Sequence, residues 1–113
     1  MMNEHLYILW TNADVTTAKL MVMMYAKNSL KNQWWNKVTV IVWGATTKLL
    51  SESEELQQEM KEAVAYGVDF SGCIACAQEL DVVEKLTALG VDLYKWGPKL
   101  TGIIKEKLPL ITV

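Results

Sequence analysis

Two cysteines stand three apart in Cys73-Ile74-Ala75-Cys76, and they are the chain's only thiols. At positions i and i+3 of a helix they fall on roughly one face. A pair so spaced suits disulfide exchange, sulfur carriage or half of a metal site. A structural zinc site takes about four ligands, and the chain offers two cysteines and one histidine, His5. His5 is expected at the start of the first strand, roughly 15 Å from the edge that carries Cys73, at ~3.3 Å of strand per residue. It is therefore read as a surface residue, not as a metal ligand or as a base for Cys73. No metal or cofactor is expected, and a Cys-His hydrolase is disfavoured. In thioredoxin-like proteins a CxxC follows the first strand, usually with Pro or Gly between the cysteines. Here it follows the third strand with Ile-Ala between, which lowers the dithiol oxidoreductase reading.

The elements that position these residues follow from the hydrophobic pattern. The chain has 113 residues, 51% of them hydrophobic and 21% charged, which suits one folded domain and excludes disorder as the main state. The net charge is -2 and all 11 basic residues are lysine. Nucleic-acid binding, which favours a basic excess, is not expected. The longest apolar run, Leu20 to Ala26, is far short of the ~20 residues of a membrane span. Met1-Met2-Asn3-Glu4-His5 lacks the positive region of a secretory leader, and the expected compartment is the cytoplasm.

Short β-branched and aromatic runs occur at Leu6 to Trp10, Val38 to Trp43, Val68 to Phe70, Val91 to Trp96 and Leu110 to Val113. Longer segments with helical spacing separate them, and this alternation predicts an α/β fold with a mostly parallel sheet. The first two runs are apolar almost throughout, as in strands covered on both faces. The first helix is expected from about Asp14 to Leu30, capped by Asn12 or Asp14. Val15, Ala18, Val22, Ala26 and Ser29 share one of its faces. Leu20 and Met24 lie nearly opposite, as surface residues or as a subunit interface. A second helix is expected from Ser53 to Tyr66, with Ser51 and Glu54 as a capping box and a solvated acidic face of Glu52, Glu55, Glu59 and Glu62. The segment Ile74 to Leu89 reads as two short helices with a turn near Leu80, Asp81 with Glu84 capping the second. The last helix lies between Pro98 and Lys107.

A parallel sheet gathers its strand ends, and usually its ligands, at one edge. The ends here read Trp10-Thr11-Asn12, Trp43-Gly44-Ala45-Thr46, Ser71-Gly72-Cys73 and Trp96-Gly97-Pro98. The expectation is a pocket of Trp10, Asn12, Trp43, Gly44, Gly72, Trp96 and Gly97 with Cys73 at its base. The competing reading makes the tryptophans core or interface filler. Asn12-Ala13-Asp14 and Gly44-Ala45-Thr46-Thr47 carry no nucleotide-binding fingerprint and read as turns with helix caps. Helix-terminal amides favour a Cys73 thiolate, whereas apolar tryptophans nearby would oppose it.

These motifs, in this order, resemble the DsrE/DsrF-like family over essentially the whole chain. The resemblance rests on Leu6-Tyr7-Ile8-Leu9-Trp10-Thr11-Asn12, Trp43-Gly44-Ala45, Gly67-Val68 leading to Cys73-Ile74-Ala75-Cys76, and Trp96-Gly97 followed by Leu100. It implies a three-layer α/β/α sandwich around a five-stranded sheet, and trimers or hexamers. It also implies a link to sulfur trafficking, because TusD-like relay members carry a persulfide on a cysteine at the end of the third strand. Cys73 occupies that position. Cys76 matches a second cysteine found in some relatives. Relay members follow the cysteine with small residues and an Arg-Gly pair, where this chain has Ala77-Gln78-Glu79-Leu80-Asp81. The expected function is a small sulfur carrier in which Cys73 takes sulfur from a donor protein for an acceptor protein, and Cys76 releases it or tunes the site. The alternatives are a non-enzymatic oligomeric binding or assembly module and a CxxC dithiol redox protein.

Overall fold

The structure is a computed structural model that describes residues 4–113. Met1 to Asn3, part of the segment read above for a leader, lie outside the described residues. Five strands form one sheet: β1 (His5–Trp10), β2 (Lys37–Val42), β3 (Asp69–Cys73), β4 (Asp92–Tyr94) and β5 (Leu110–Thr112). Their order is β4-β3-β2-β1-β5, and every neighbouring pair is parallel. The α/β/α sandwich expected from the sequence is therefore present. β2, rich in β-branched residues that suit a pleated and buried surface, is the central strand. β1, equally apolar in sequence, lies one place to the side.

The two faces of the sheet are covered unequally. On the first, Leu6, Ile8 and Trp10 of β1 pack with Val38, Val40, Val42 and Phe70. Residues from α2 (Met24–Lys31), α3 (Ala45–Glu52), α4 (Glu54–Ala65), α5 (Ile74–Glu79) and α6 (Val83–Leu89) close over them. On the second face a single helix, α7 (Trp96–Lys105), brings Trp96 and Ile103 onto Ile41. Tyr7, Leu9 and Trp43 stay half-buried there. Thus β1 alternates strictly between buried and half-buried residues, although its sequence is apolar on both sides. Polar groups occupy the rest of that second face. The Thr39 hydroxyl donates to Asp69 (3.1 Å) and is 2.8 Å from His5 Nε2, and His5 stacks on Tyr7.

Several boundaries differ from expectation, each for a local reason. The first helix begins at Asp14, whose carboxylate accepts from the Thr17 amide at 2.8 Å. It is α-helical in α1 (Val15–Thr17), π-helical over Ala18–Met23, and α-helical again in α2. The π turn inserts an extra residue, so the face read from a uniform 100° step does not run through. Val15 is exposed and Met23 is buried beside Ala18, Val22 and Ala26. Leu20 and Met24 are exposed as expected.

The helix α3 is absent from the sequence reading. It stops at Ser53, which caps α4 by accepting from the Leu56 amide. Ser51, expected in that role, lies inside α3 and donates to the Lys48 carbonyl. On the outer face of α4, Glu55 meets Lys19 at 2.8 Å. The turn after α5 falls at Leu80 as expected, but Asp81 caps nothing: it takes a positive φ of 57° and α6 starts without a side-chain cap. β3 runs on through Ser71-Gly72-Cys73 because that segment is buried between β2 and β4. A Cβ at Gly72 would lie 3.3 Å from the Val42 carbonyl oxygen and 3.2 Å from a Leu93 methyl. β4 ends at Tyr94, so Trp96 opens α7, with Pro98 in the first turn where its missing N–H costs nothing.

Candidate functional site

Cys73 is the last residue of β3 and the N-cap of α5. Its Sγ accepts the Cys76 amide at 3.4 Å, the bond by which a cap satisfies a first-turn donor. One residue type thus ends the strand and starts the helix. It also leaves Cys73 only 7% exposed. Cys76, one helical turn on, is half-buried, and no disulfide joins the two cysteines.

Cys76 opens onto a groove of about 550 Å³ at the C-terminal edge of the sheet. The loop after β1 contributes Ala13, and the β2 to α3 junction contributes Gly44 and Ala45. Lys48, Leu49 and Glu52 of α3 form one wall, and Glu79 with Leu80 closes the other side beyond Cys76. Small and aliphatic side chains make most of the surface, with one lysine and two glutamates around it. The volume suits a small organic ligand.

Two features fix the β2 to α3 junction. Gly44 has φ +68° and ψ −127°, a backbone region that a side chain would strain. Thr46 is buried and its hydroxyl donates to the Trp10 carbonyl at 2.6 Å, tying the start of α3 to the end of β1. From this rigid corner the Gly44 amide and the Thr47 hydroxyl face Cys76 Sγ. Burial pushes the Cys76 thiol up from its ordinary value, and the adjacent Cys73 pushes the same way. The Gly44 amide and the Thr47 hydroxyl favour the thiolate and pull it back in part. The Thr47 side chain is buried, and its oxygen closes no hydrogen bond among the described residues.

The structure does not assemble the expected tryptophan-lined pocket. Trp10 is fully buried in the packed face, its indole N–H donating to the Asn12 carbonyl at 3.1 Å. Trp10 is in register with Val42, so Trp43, one residue further, points to the opposite face. There it packs against the Ile41, Trp96 and Ile103 cluster. Trp96 is buried and donates to Ser71 Oγ at 2.8 Å. Asn12 and Gly97 are exposed and Gly72 lies within β3. Asn12 accepts from the Asp14 amide, as a turn residue does. Of the residues proposed from the sequence, Cys76 and Gly44 line the groove, with Cys73 behind them. Ala45, Thr47, Lys48 and Leu49 were missed. The signal is Gly44-Ala45-Thr46-Thr47, the turn with a helix cap, followed by the apolar pair Leu49-Leu50, which carries the helix on.

The fold and site define an α/β/α protein with an unbridged cysteine pair at the carboxyl edge of a parallel sheet. The chain is similar to a conserved protein of unknown function from Bacteroides thetaiotaomicron, at 31% identity over 97% of this chain and 95% of that one, with a TM-score of 0.95. It belongs to the same family as that protein. A protein of unknown function from Methanobacterium thermoautotrophicum shares the fold at 16% identity, with a TM-score of 0.77, over 99% of this chain and 100% of that one. No protein-family model matches the chain, and neither does any curated protein.

Proposed function

We propose that the chain is a small sulfur carrier that holds a persulfide on the cysteine pair at the end of β3. The observation that carries this reading is the placement of two cysteines, unbridged by a disulfide, one helical turn apart, with one opening onto a ligand-sized groove. A cysteine thiolate attacks the outer sulfur of a donor persulfide, R–S–SH. The donor S–S bond breaks, the thiolate R–S⁻ leaves, and the cysteine becomes Cys–S–SH. An acceptor thiolate then attacks that outer sulfur and regenerates the cysteine thiolate. No external oxidant enters either step. The resemblance to relay proteins supports the same reading, and the reading implies a cytoplasmic setting with a donor and an acceptor protein as partners. No helix among the described residues is long and apolar enough to cross a membrane.

Intact mass spectrometry after exposure to a low-molecular-weight persulfide tests the proposal. The wild type is expected to gain one sulfur that survives desalting, and a Cys73→Ser/Cys76→Ser double variant to gain none. Equal gain in both would remove the carrier reading. The reading of an assembly module is favoured by Leu20, 58% exposed, and Met24 on the outer side of the first helix. Light scattering of a Leu20→Glu/Met24→Glu variant tests it: a trimer or hexamer that falls to monomer supports a role for that patch, and an unchanged mass removes it.

A further inference from the structure

Resting on the carrier reading, we infer that Cys76, not Cys73, takes up the transferred sulfur, held by a donor pair of the Gly44 amide and the Thr47 hydroxyl in a groove shaped for an apolar persulfide. Access is the first argument. Cys73 is 7% exposed and already accepts the Cys76 amide, whereas Cys76 forms part of the groove wall. The second argument is independent of the cysteine. Thr47 is a buried polar side chain with no closed hydrogen bond. Such a group costs stability unless something satisfies it. Like the Gly44 amide, it lies close enough to the Cys76 sulfur to favour its thiolate, so an anion on that sulfur would receive both donors. Preorganised donors of this kind stabilise charge where it develops.

The walls select the ligand. Ala13, Ala45, Leu49 and Leu80 present carbon to it, and the groove's ionisable side chains other than Cys76 are Lys48, Glu52 and Glu79. Two carboxylates against one lysine disfavour a donor that carries several carboxylates of its own. An uncharged organic substituent fits better. In the loading step the Cys76 thiolate, its charge held by Gly44 and Thr47, attacks the outer sulfur of R–S–SH, R–S⁻ departs with the negative charge, and neutral Cys76–S–SH remains. More slowly than loading and desalting, where no acceptor is present, the Cys73 thiolate can attack the inner Cys76 sulfur. Hydrosulfide then leaves and a Cys73–Cys76 disulfide forms, which a dithiol reductant reopens.

The test compares benzyl persulfide with glutathione persulfide on wild type and on the Cys73→Ser, Cys76→Ser, Thr47→Val and Thr47→Ser variants. Sulfur gain is read by intact mass. Alkylation by iodoacetamide in a Cys73→Ser background gives the pH–rate profile of Cys76, whether or not sulfur is carried. The expected result is gain in Cys73→Ser and none in Cys76→Ser, with benzyl persulfide loading several-fold faster. Thr47→Val should slow loading roughly tenfold, the scale of one hydrogen bond, and move the alkylation profile to higher pH. Thr47→Ser should restore both. Valine matches threonine in shape, and circular dichroism confirms that the variants fold. Loading that survives Cys76→Ser but not Cys73→Ser would overturn the inference, as would a Thr47→Val profile that overlays the parent. Failure of every protein to gain sulfur, with the Thr47 effect on alkylation intact, would overturn the carrier reading while supporting the donor pair as a thiolate site.

Discussion

Tyr7 and Ile8 are neighbours on one strand and sit in different proteins, so to speak: Ile8 is fully buried under a thick helical layer, and Tyr7 lies half-open on a face that, among the described residues, α7 alone of the helices crosses. The thick side is held by close-packed aliphatic and aromatic groups. The thin side relies on fewer apolar contacts, supplemented by specific hydrogen bonds, Thr39 to Asp69 and Trp96 to Ser71. The difference teaches that apolar sequence on both faces of a strand does not guarantee equal burial. What closes over each face decides it, and here the chain assigns one helix to the second face.

The comparison is sharpened by unequal costs of truncation. Leu50→Ala, under the thick layer, should cost about 4 kcal/mol, and Ile103→Ala on the thin side about 2 kcal/mol, the two ends of the range for large-to-small changes that differ in how well the site can relax. Urea unfolding measures both, and equal costs would break the contrast. Next in size is Ser71→Ala. It strips the partner from the buried Trp96 indole N–H and from the Asp92 carbonyl, so a loss of about 1–3 kcal/mol is expected, with altered tryptophan emission. A smaller change of opposite sign is expected at the groove. Thr47→Val removes a buried hydroxyl that closes no hydrogen bond and should leave stability unchanged or raise it by up to about 1 kcal/mol. A loss above that would mean the hydroxyl already has a stabilising partner.

The smallest effect is one of pH, on the thin face. Burial holds His5 below its ordinary value of 6.5, Lys37 adds to this, and Asp69 opposes it. The unfolded chain therefore binds the His5 proton more readily than the folded one. The stability that comes with neutral His5 is present above 6.5 and is lost as pH falls through the lower folded value. Thermal unfolding across that window should show a decline that His5→Gln flattens; a parallel decline in both proteins would place its origin elsewhere.

Much of the fold was legible in the sequence. The strand cores, the parallel α/β alternation, the Asp14 cap and the break near Leu80 follow from periodicity and turn chemistry. What stayed hidden has physical causes. A π turn within the first helix carries no residue signature, so Val15 and Met23 exchanged roles. The eight residues of α3 are short, and Thr46-Thr47 at its start are poor helix formers, so its sequence signal is weak. The candidate site was half legible. Cys76 and Gly44 were recognised by type, but the tryptophans were grouped by strand end without regard to side. Trp10 and Trp43 occupy successive levels of the pleat and so face away from each other.

The π-helical stretch has one more consequence. Ala18–Met23 accommodates a surplus residue without unwinding. Deleting one residue there would restore ordinary helix throughout and leave the segments on either side close to their present places. Asp14 would still accept from the Thr17 amide, and Ala13 would keep its place in the groove wall beside Cys76. Two chains of this fold that differ in length by one residue in this helix would therefore share the same groove mouth.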